Sequence, residues 1–339
     1  MPDPAFSGLV AGADELDRRA ETVAVLARSG VGSSRGVQWR GLSCAALAGD
    51  RRERCTSLES DGGRGTGPGP DEVAKGAAER PAFDTSVAHI ARVYDYWLGG
   101  KDNFAADRAA AEQAIAAYPD IVFSVRANRA FLARAVRYLA GEAGIRQFLD
   151  IGTGIPSSSN THEVAQSVAP ESRVAYVDND PVVLAHARAL LTSGPHGVTS
   201  YLDADLRDTG RVLSAAAETL DFSRPVAIML MAILQHVDNA DNPYAIVAAL
   251  VDAVPAGSYL ALSHPASDIE AQAQGELARR LNQTMAEKVT LRDRAQVARF
   301  FDGLELVEPG LVRVPEWRPA SEAEASSPAG LWGGVGRKS

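Results

Sequence analysis

The spacing of apolar residues predicts three helices in the region that begins at Asp84. Apolar side chains recur there at helical spacing, and Gly99-Gly100 ends the run. The apolar positions are Val87, Ile90, Ala91, Tyr94, Trp97 and Leu98. Two further helical stretches are predicted at 105–117 and 120–140.

Downstream of residue 146, short apolar runs alternate with helical stretches. The runs predicted as strands are 147–151, 173–177, 198–202, 226–230, 258–262, 304–307 and 331–335. Capping residues indicate three of the helix starts: Asn160 with Glu163, Asp180 with Pro181, and Asn242 with Pro243. Further helices are predicted near 211–220, 268–287 and 291–302.

This alternation predicts an α/β fold. Five strands separated by helices require right-handed crossovers, and these give a mostly parallel, doubly wound sheet with helices on both faces. The last two strands are separated by a loop alone, which suggests an antiparallel pair at one edge. The expected architecture is a Rossmann-like sheet of seven strands, preceded by a helical cap.

The first 80 residues differ in composition from the rest of the chain. They are rich in glycine and include the Gly- and Pro-rich stretch 61–70, which cannot bury enough apolar surface to offset the cost of ordering. A small functional module is the alternative. We therefore divide the chain into a disordered leader (1–80), a helical cap region (81–145) and a ligand-binding domain (146–339).

Charge and composition exclude several classes of function. The net charge of -9 and the pI near 5.3 argue against a nucleic-acid partner, since such binding needs clustered cations. No apolar run is long enough for a membrane span, and no export signal is visible. Both cysteines, Cys44 and Cys55, precede residue 81, which suits a cytoplasmic protein. The six histidines show no metal-ligand spacing, so no metal is expected.

A glycine-rich turn follows the first predicted strand. Ligands of open α/β sheets bind at the carboxyl ends of the strands, and Asp150, Gly152 and Gly154 fall there. The glycines let the backbone approach a ligand, and the carboxylate of Asp150 suits a cationic group such as an ammonium. Taken alone, the glycine pair is equally compatible with an ordinary tight turn.

Acidic residues at the ends of the next two strands extend this pattern. Asp178 ends the second strand, where a carboxylate can accept hydrogen bonds from both ribose hydroxyls, and Asn179 follows it. Asp205 and Leu206 follow the third strand and can hold an adenine amino group and ring. Each acid alone could be a helix cap or lie in a solvated loop. Together they predict a nucleoside ligand.

A nicotinamide cofactor fits the turn less well. The dinucleotide fingerprint needs a third glycine where this chain has Ser157, and Pro156 adds to the mismatch. No Walker lysine follows the turn, which argues against ATPase chemistry.

From Asp84 to its C-terminus the chain resembles the bacterial S-adenosyl methyltransferase family of high-GC genomes. The matching segments are 89–104, 150–156, 176–181 and 315–318. The first is the most specific, because an aromatic-rich run ending in Gly-Gly-Lys-Asp-Asn is not general to enzymes that use S-adenosylmethionine (SAM). The resemblance implies a seven-stranded class I methyltransferase with SAM as cofactor and an unidentified acceptor. It also implies that Asp150, Gly152 and Gly154 surround the methionine part, with Asp178 on the ribose and Asp205 near adenine.

Methyl transfer from a sulfonium is an in-line displacement that depends mainly on alignment. His236 follows the fourth strand and is the candidate general base; the alternative is a histidine that packs or hydrogen-bonds below the pocket. Weaker candidates are His162, at a helix start, and His264, after the fifth strand. Possible lid residues on the aromatic helix are Tyr94, Asp95 and Trp97.

Three functions are compatible with these residues. The favoured one is a SAM-dependent methyltransferase that acts on a small molecule. The others are an NAD(P)-linked Rossmann oxidoreductase and a SAM-binding protein without turnover. The residues leave open the acceptor atom and the oligomeric state.

Overall fold

A computed structural model describes residues 84–190, 194–285 and 287–339, with side chains omitted at 188–190. The leader predicted at 1–80 lies outside the described residues. None of the helices in the described ranges is both long enough and apolar enough to cross a membrane.

The described residues alternate between helices and strands, as predicted. The helices are α1 (Ile90–Leu98), α2 (Ala105–Ala117), α3 (Ile121–Gly141), α4 (Thr161–Val168), α5 (Pro181–Leu190), α6 (Thr209–Ala216), α7 (Pro243–Asp252), α8 (Ala271–Thr284), α9 (Arg294–Ala298) and α10 (Glu322–Ala325). The strands are β1 (Gln147–Ile151), β2 (Arg173–Asp178), β3 (Val198–Asp203), β4 (Ala227–Met231), β5 (Tyr259–Pro265), β6 (Glu305–Leu306), β7 (Val312–Arg313) and β8 (Leu331–Arg337).

All these strands belong to one sheet. Its order is β3-β2-β1-β4-β5-β8-β6, and β7 also pairs with β8. The first five strands are parallel, whereas β8 runs antiparallel to β5, β6 and β7. The predicted doubly wound, mostly parallel sheet with an antiparallel edge is confirmed.

Two details of the predicted sheet are wrong. The sheet has eight strands and not seven, because the two-residue strand β7 is too short to produce an alternating pattern. In addition, β5 runs through Pro265, so His264 lies within a buried strand and not after it.

Successive side chains along a strand point to opposite faces of the sheet, and each face has its own hydrophobic core. On β1, Phe148 packs in a cluster with residues of α3 and α4. Its neighbour Leu149 packs in the opposite cluster with residues of α6 and α7. The continuous apolar runs of the central strands are explained by burial on both faces.

A third cluster joins helices that lie far apart in sequence. Buried residues of α1 and α2 pack with Leu277 and Leu281 of α8. Trp97 belongs to this cluster, and its indole N–H donates to the carbonyl of Ala111 at 3.3 Å. The aromatic helix α1 is therefore held by α2 and α8.

The segment 315–318 anchors the C-terminal part of the chain to α3. Trp317 is fully buried and packs edge-on against Phe131 and Tyr138. Arg134 on α3 donates to the Trp317 carbonyl at 2.8 Å, and the Arg318 guanidinium stacks over the Tyr138 ring at 4.1 Å. This segment, which carries part of the family resemblance, therefore has a structural role.

Candidate functional site

A cleft of about 1220 Å³, counting its open mouth, lies at the carboxyl ends of β1, β2 and β4. The parallel topology brings together there every site residue predicted from the sequence. These are Asp150, Gly152, Gly154, Asp178, Asn179, Asp205, Leu206 and His236. Helix α1 contributes to the opposite wall through His89, Ile90 and Tyr94.

The glycine-rich turn brings backbone directly to the cleft. Gly152 and Gly154 both have positive φ values, 75° and 64°, which glycine adopts without strain. A Cβ at Gly152 would collide with Ile233, whereas one at Gly154 would meet no described atom within 4 Å. Gly154 therefore borders open space, and the turn leaves room for a ligand there.

Asp150 is a buried carboxylate at the end of β1. It is 4% exposed and accepts a 2.6 Å hydrogen bond from the Thr161 hydroxyl at the start of α4. Burial raises the pKa of Asp150 to about 6, although Thr161 and the charge of Arg129 oppose that rise. An ammonium group placed here would favour the ionised carboxylate.

Asp178 is held by backbone on both of its oxygens. Its Oδ2 accepts from the N–H of Gly154 at 2.9 Å, and its Oδ1 accepts from the N–H of Asp180 at 2.9 Å. Burial raises the pKa of Asp178, while these two bonds oppose the rise. The carboxylate is thus fixed in orientation and retains lone pairs for a donor in the cleft.

Asp205 stands in a more exposed and more charged setting. Its carboxylate pairs with Arg207 at 3.2 Å and accepts from Asn179 Nδ2 at 3.4 Å. Arg207 also pairs with Asp241 at 2.9 Å. Leu206 is buried and supplies an apolar surface beside this network.

Arg129 is a site residue that sequence reasoning missed. It lies on α3, lines the cleft, and donates from one Nη to the carbonyls of Ser158 and Ser159 at 3.1 and 3.2 Å. Its buried Nε atom has no hydrogen-bond partner among the described residues. No local motif marks Arg129, because it reaches the cleft only through the packing of α3 over the turn.

His236 lies in a short turn after β4, at the mouth of the cleft. Its Nδ1 lies 3.3 Å from the Lys288 carbonyl, and its Nε2 lies 3.3 Å from the Gln235 side-chain nitrogen. This pairing assigns the proton to Nδ1, and the Nε2 lone pair accepts a hydrogen bond from the Gln235 amide. Burial lowers the pKa of His236, although Glu287 and the Lys288 carbonyl oppose that shift.

The two weaker histidine candidates form hydrogen bonds with other groups of the protein. The Nδ1 atom of His162 lies within hydrogen-bond distance of the Tyr176 hydroxyl, at 2.8 Å. His264 is fully buried, lies 2.8 Å from the Pro265 carbonyl, and accepts from Arg292 at 2.9 Å. Burial lowers the pKa of His264 to about 3, so it stays neutral.

His89 links α1 to the start of α5. Its Nδ1 lies 2.8 Å from the buried Asp180 carboxylate, and its Nε2 lies 3.8 Å from Glu287. Desolvation alone would lower the pKa of His89, but the hydrogen bond and charge of Asp180, with Glu287, raise it overall. The carboxylates of Asp180 and Glu287 therefore favour the protonated form of His89, which lines one side of the cleft.

The Gly-Gly-Lys-Asp-Asn run folds around Asp95. This buried carboxylate accepts from Asn103 Nδ2 at 2.8 Å and from the Asp102 N–H at 3.0 Å. A side chain at Gly100 would overlap the Asp95 carboxylate. Asp95, which the sequence suggests as a lid residue, shapes the turn that ends α1.

The comparisons with known proteins agree with this geometry. Residues 76–339 match the family model described as S-adenosyl methyltransferase. A solved structure of a DUF574 family protein from Streptomyces avermitilis is 47% identical; the match covers 76% of this chain and 99% of that chain, with a TM-score of 0.73. A provisionally assigned methyltransferase from Thermobifida fusca is 43% identical, with 77% and 99% covered and a TM-score of 0.71. The search of curated proteins found no match.

Proposed function

This chain belongs to the S-adenosyl methyltransferase family, and from that membership we propose how it holds SAM and what kind of acceptor it methylates. It is a SAM-dependent methyltransferase. Membership decides against the nicotinamide alternative. The binding residues, the base and the acceptor class form the proposal.

The cleft fits the two charges of the methionine end of SAM. Asp150 is buried and suits the ammonium group, while the unpaired Nε of Arg129 suits the carboxylate. Gly154 leaves open space beside these groups. The assignment gives each buried charge a partner, which is the condition for burying it at low cost.

The nucleoside end is assigned to the ends of β2 and β3. Asp178, fixed by two backbone N–H groups, accepts from the ribose hydroxyls. Asp205 and the buried Leu206 hold the adenine, and Asn179 donates a hydrogen bond to the Asp205 carboxylate. The observation that carries this proposal is that all these residues line the same cleft.

The acceptor is a small molecule with an ionisable hydroxyl group. When bound, SAM supplies a methyl group whose bond to the sulfonium sulfur breaks so that both bonding electrons stay on sulfur. The hydroxyl replaces the Gln235 amide as the partner of His236 Nε2, and this nitrogen takes the hydroxyl proton while the acceptor oxygen forms its bond to the methyl carbon. The lowered pKa of His236 keeps it neutral and able to accept that proton at pH 7.

Calorimetry on two aspartate variants tests the SAM assignment. We expect Asp178→Ala to weaken SAM binding by roughly 10- to 150-fold, about 1.5–3 kcal/mol, because it removes charged hydrogen bonds. The matched control is Asp203→Ala. Asp203 pairs in register with Asp178 at the end of β3 but is exposed and does not line the cleft.

The control variant should bind SAM as the wild type does. Circular dichroism would check that both variants keep their fold, since Asp178 also bonds the turn. Equal affinities for wild type and a folded Asp178→Ala variant would refute the ribose assignment.

A further inference from the structure

A second cavity, of about 650 Å³ when its open mouth is counted, adjoins the cleft. It lies between α1, the start of α3 and α8 on one side, and the ends of β4 and β5 on the other. Most of its lining is apolar or aromatic, including Trp97, Tyr118, Leu277 and Leu281. This apolar and aromatic lining suits a ring-bearing small molecule.

The cavity has no ionic partner to offer a ligand. None of the described residues that line it is an aspartate, glutamate, lysine or arginine. A charged ligand would lose its hydration there without gaining a counter-ion, and that is costly. The cavity therefore selects for a neutral molecule.

One buried polar atom in its wall lacks a partner. Gln235 is 7% exposed, and its side-chain nitrogen donates to the Ala232 carbonyl at 2.6 Å, which fixes the amide orientation. The Gln235 Oε1 atom is buried and has no hydrogen-bond partner among the described residues. An unpaired buried acceptor favours a ligand that carries a hydrogen-bond donor.

The two cavities share part of their walls. Tyr94, Ala232 and His236, together with Ile90, line both. Tyr94 is held in place by hydrogen bonds, because Asn128 donates to its hydroxyl at 3.1 Å and itself accepts from Ser263 at 2.6 Å. A ligand in the second cavity thus lies next to His236.

We propose that the second cavity binds the methyl acceptor, and that the acceptor is a neutral, ring-bearing molecule. Besides the hydroxyl group whose proton goes to His236, this molecule carries a second hydrogen-bond donor that binds Gln235 Oε1. The inference rests on the proposed function, and it adds a substrate class and a specificity-determining residue, Gln235. Apolar surface supplies the affinity, while the glutamine oxygen orients the molecule through this second donor.

Binding of 2-naphthol to the full-length protein tests the proposal without turnover. Naphthalene lacks the hydroxyl, and 2-naphthoate carries a charge. By calorimetry, we expect 2-naphthol to bind about 10-fold more tightly than naphthalene, which is the effect of one buried hydrogen bond. We expect 2-naphthoate to bind more weakly than 2-naphthol. Equal binding of all three probes would overturn the proposal.

Two variants of α8 locate the probe. Ala278 lines the cavity, so Ala278→Phe should fill it and weaken 2-naphthol binding at least about 10-fold. Ala271→Phe is the matched control, because Ala271 is exposed on the same helix and does not line the cavity. If both variants bind the probe as the wild type does, the site is elsewhere.

Gln235→Met tests the hydrogen bond. It should remove the preference for 2-naphthol over naphthalene and leave naphthalene binding nearly unchanged.

Fluorescence energy transfer from Trp97 to bound 2-naphthol locates the probe without a substitution at Ala278. Trp97→Phe should remove most of that transfer, and unchanged transfer would contradict the location.

SAM calorimetry on the same samples separates this inference from the proposed function. If SAM binds and 2-naphthol does not, the acceptor cavity is wrong and the SAM assignment stands. If SAM fails to bind to the folded wild-type protein while 2-naphthol binds with the expected preference, the cavity stands and the SAM assignment fails.

Discussion

At the scale of single residues, three carboxylates at neighbouring strand ends differ in what surrounds them. Asp150 is buried against a hydroxyl, and Asp178 is held by two backbone N–H groups. Asp205 is partly exposed and paired with Arg207. Because exposed pairs contribute about 0–1 kcal/mol, we expect Asp150 and Asp178 to dominate the affinity for SAM.

The pKa of Asp150 predicts that SAM affinity depends on pH. In the folded protein without ligand that pKa is raised to about 6, so the carboxyl becomes protonated as the pH falls from 7 to 5. Since the ammonium of SAM needs the ionised form, its affinity should fall about 10-fold over this interval. Calorimetry at several pH values measures this.

Asp150→Asn is the control for that titration, because Asp178 also has a raised pKa. The variant should bind SAM more weakly, and any pH dependence that remains would belong to Asp178 or another group. A wild-type affinity that is flat from pH 5 to 7 would contradict the ammonium assignment.

His236→Ala tests the candidate base once an acceptor is known. For a hydroxyl acceptor, turnover should fall by about 10²–10⁴-fold while SAM affinity is unchanged. Burial lowers the pKa of His236 below its usual 6.5, so this histidine stays neutral between pH 8 and 6.5. Its protonation should therefore not reduce wild-type turnover over this interval. A variant that keeps more than about half of the activity would leave alignment alone to explain the rate.

The sequence predicts the residues that follow strands and misses those that arrive by packing. Asp150, Asp178 and Asp205 could be found because the carboxyl ends of parallel strands meet at one edge. Arg129 carries no such signal, because it lies on α3, and Gln235 was passed over although it follows β4 beside His236. Their importance follows from one unpaired atom each, which only the packed structure shows.

At the scale of elements, the junction of α1 and α2 depends on one buried carboxylate. Asp107 is fully buried and accepts from the N–H groups of His89 and Phe104, at 3.0 and 2.8 Å. It also pairs with the buried Arg92 at 2.9 Å. These bonds join the starts of α1 and α2, and α1 lines both cavities.

Asp107→Ala should therefore destabilise the protein by about 3–5 kcal/mol, since it leaves Arg92 buried without a counter-ion. Urea unfolding followed by circular dichroism would measure the loss. Gln113→Ala is the control on the same helix; because Gln113 is exposed, its effect should stay within about 0.5 kcal/mol. A loss below 1 kcal/mol for Asp107→Ala would contradict this account.

Element prediction succeeded where burial on two faces produces a distinct pattern. Strand β1 has the predicted bounds, β2 and β3 each extend one residue further than predicted, and β4 is shifted by one residue at both ends. The prediction of a helix at 291–302 was less accurate, because the chain forms only α9 there and then a tighter 3-10 turn at Arg299–Phe301. Short apolar stretches do not distinguish these two helical forms.

At the scale of the whole molecule, the described fold corresponds to the family unit. The family match spans 76–339, and the two solved relatives are each covered over 99% of their length. Every described residue that lines the cleft or the second cavity lies within this match.

A protein consisting of residues 76–339 should accordingly bind SAM within about 2-fold of the full-length chain. Its melting temperature should also match that of the full-length chain. Calorimetry and thermal unfolding of the two proteins, measured side by side, would check both expectations. A loss of affinity or stability would show that residues 1–75 contribute to the folded unit.

The wall shared by the cleft and the second cavity has a thermodynamic consequence. A ligand that orders Tyr94 and His236 from one side changes the surface that the other ligand meets. The resulting coupling free energy must be reciprocal. If SAM tightens 2-naphthol binding by some factor, 2-naphthol must tighten SAM binding by the same factor, and their order of addition cannot alter the final complex.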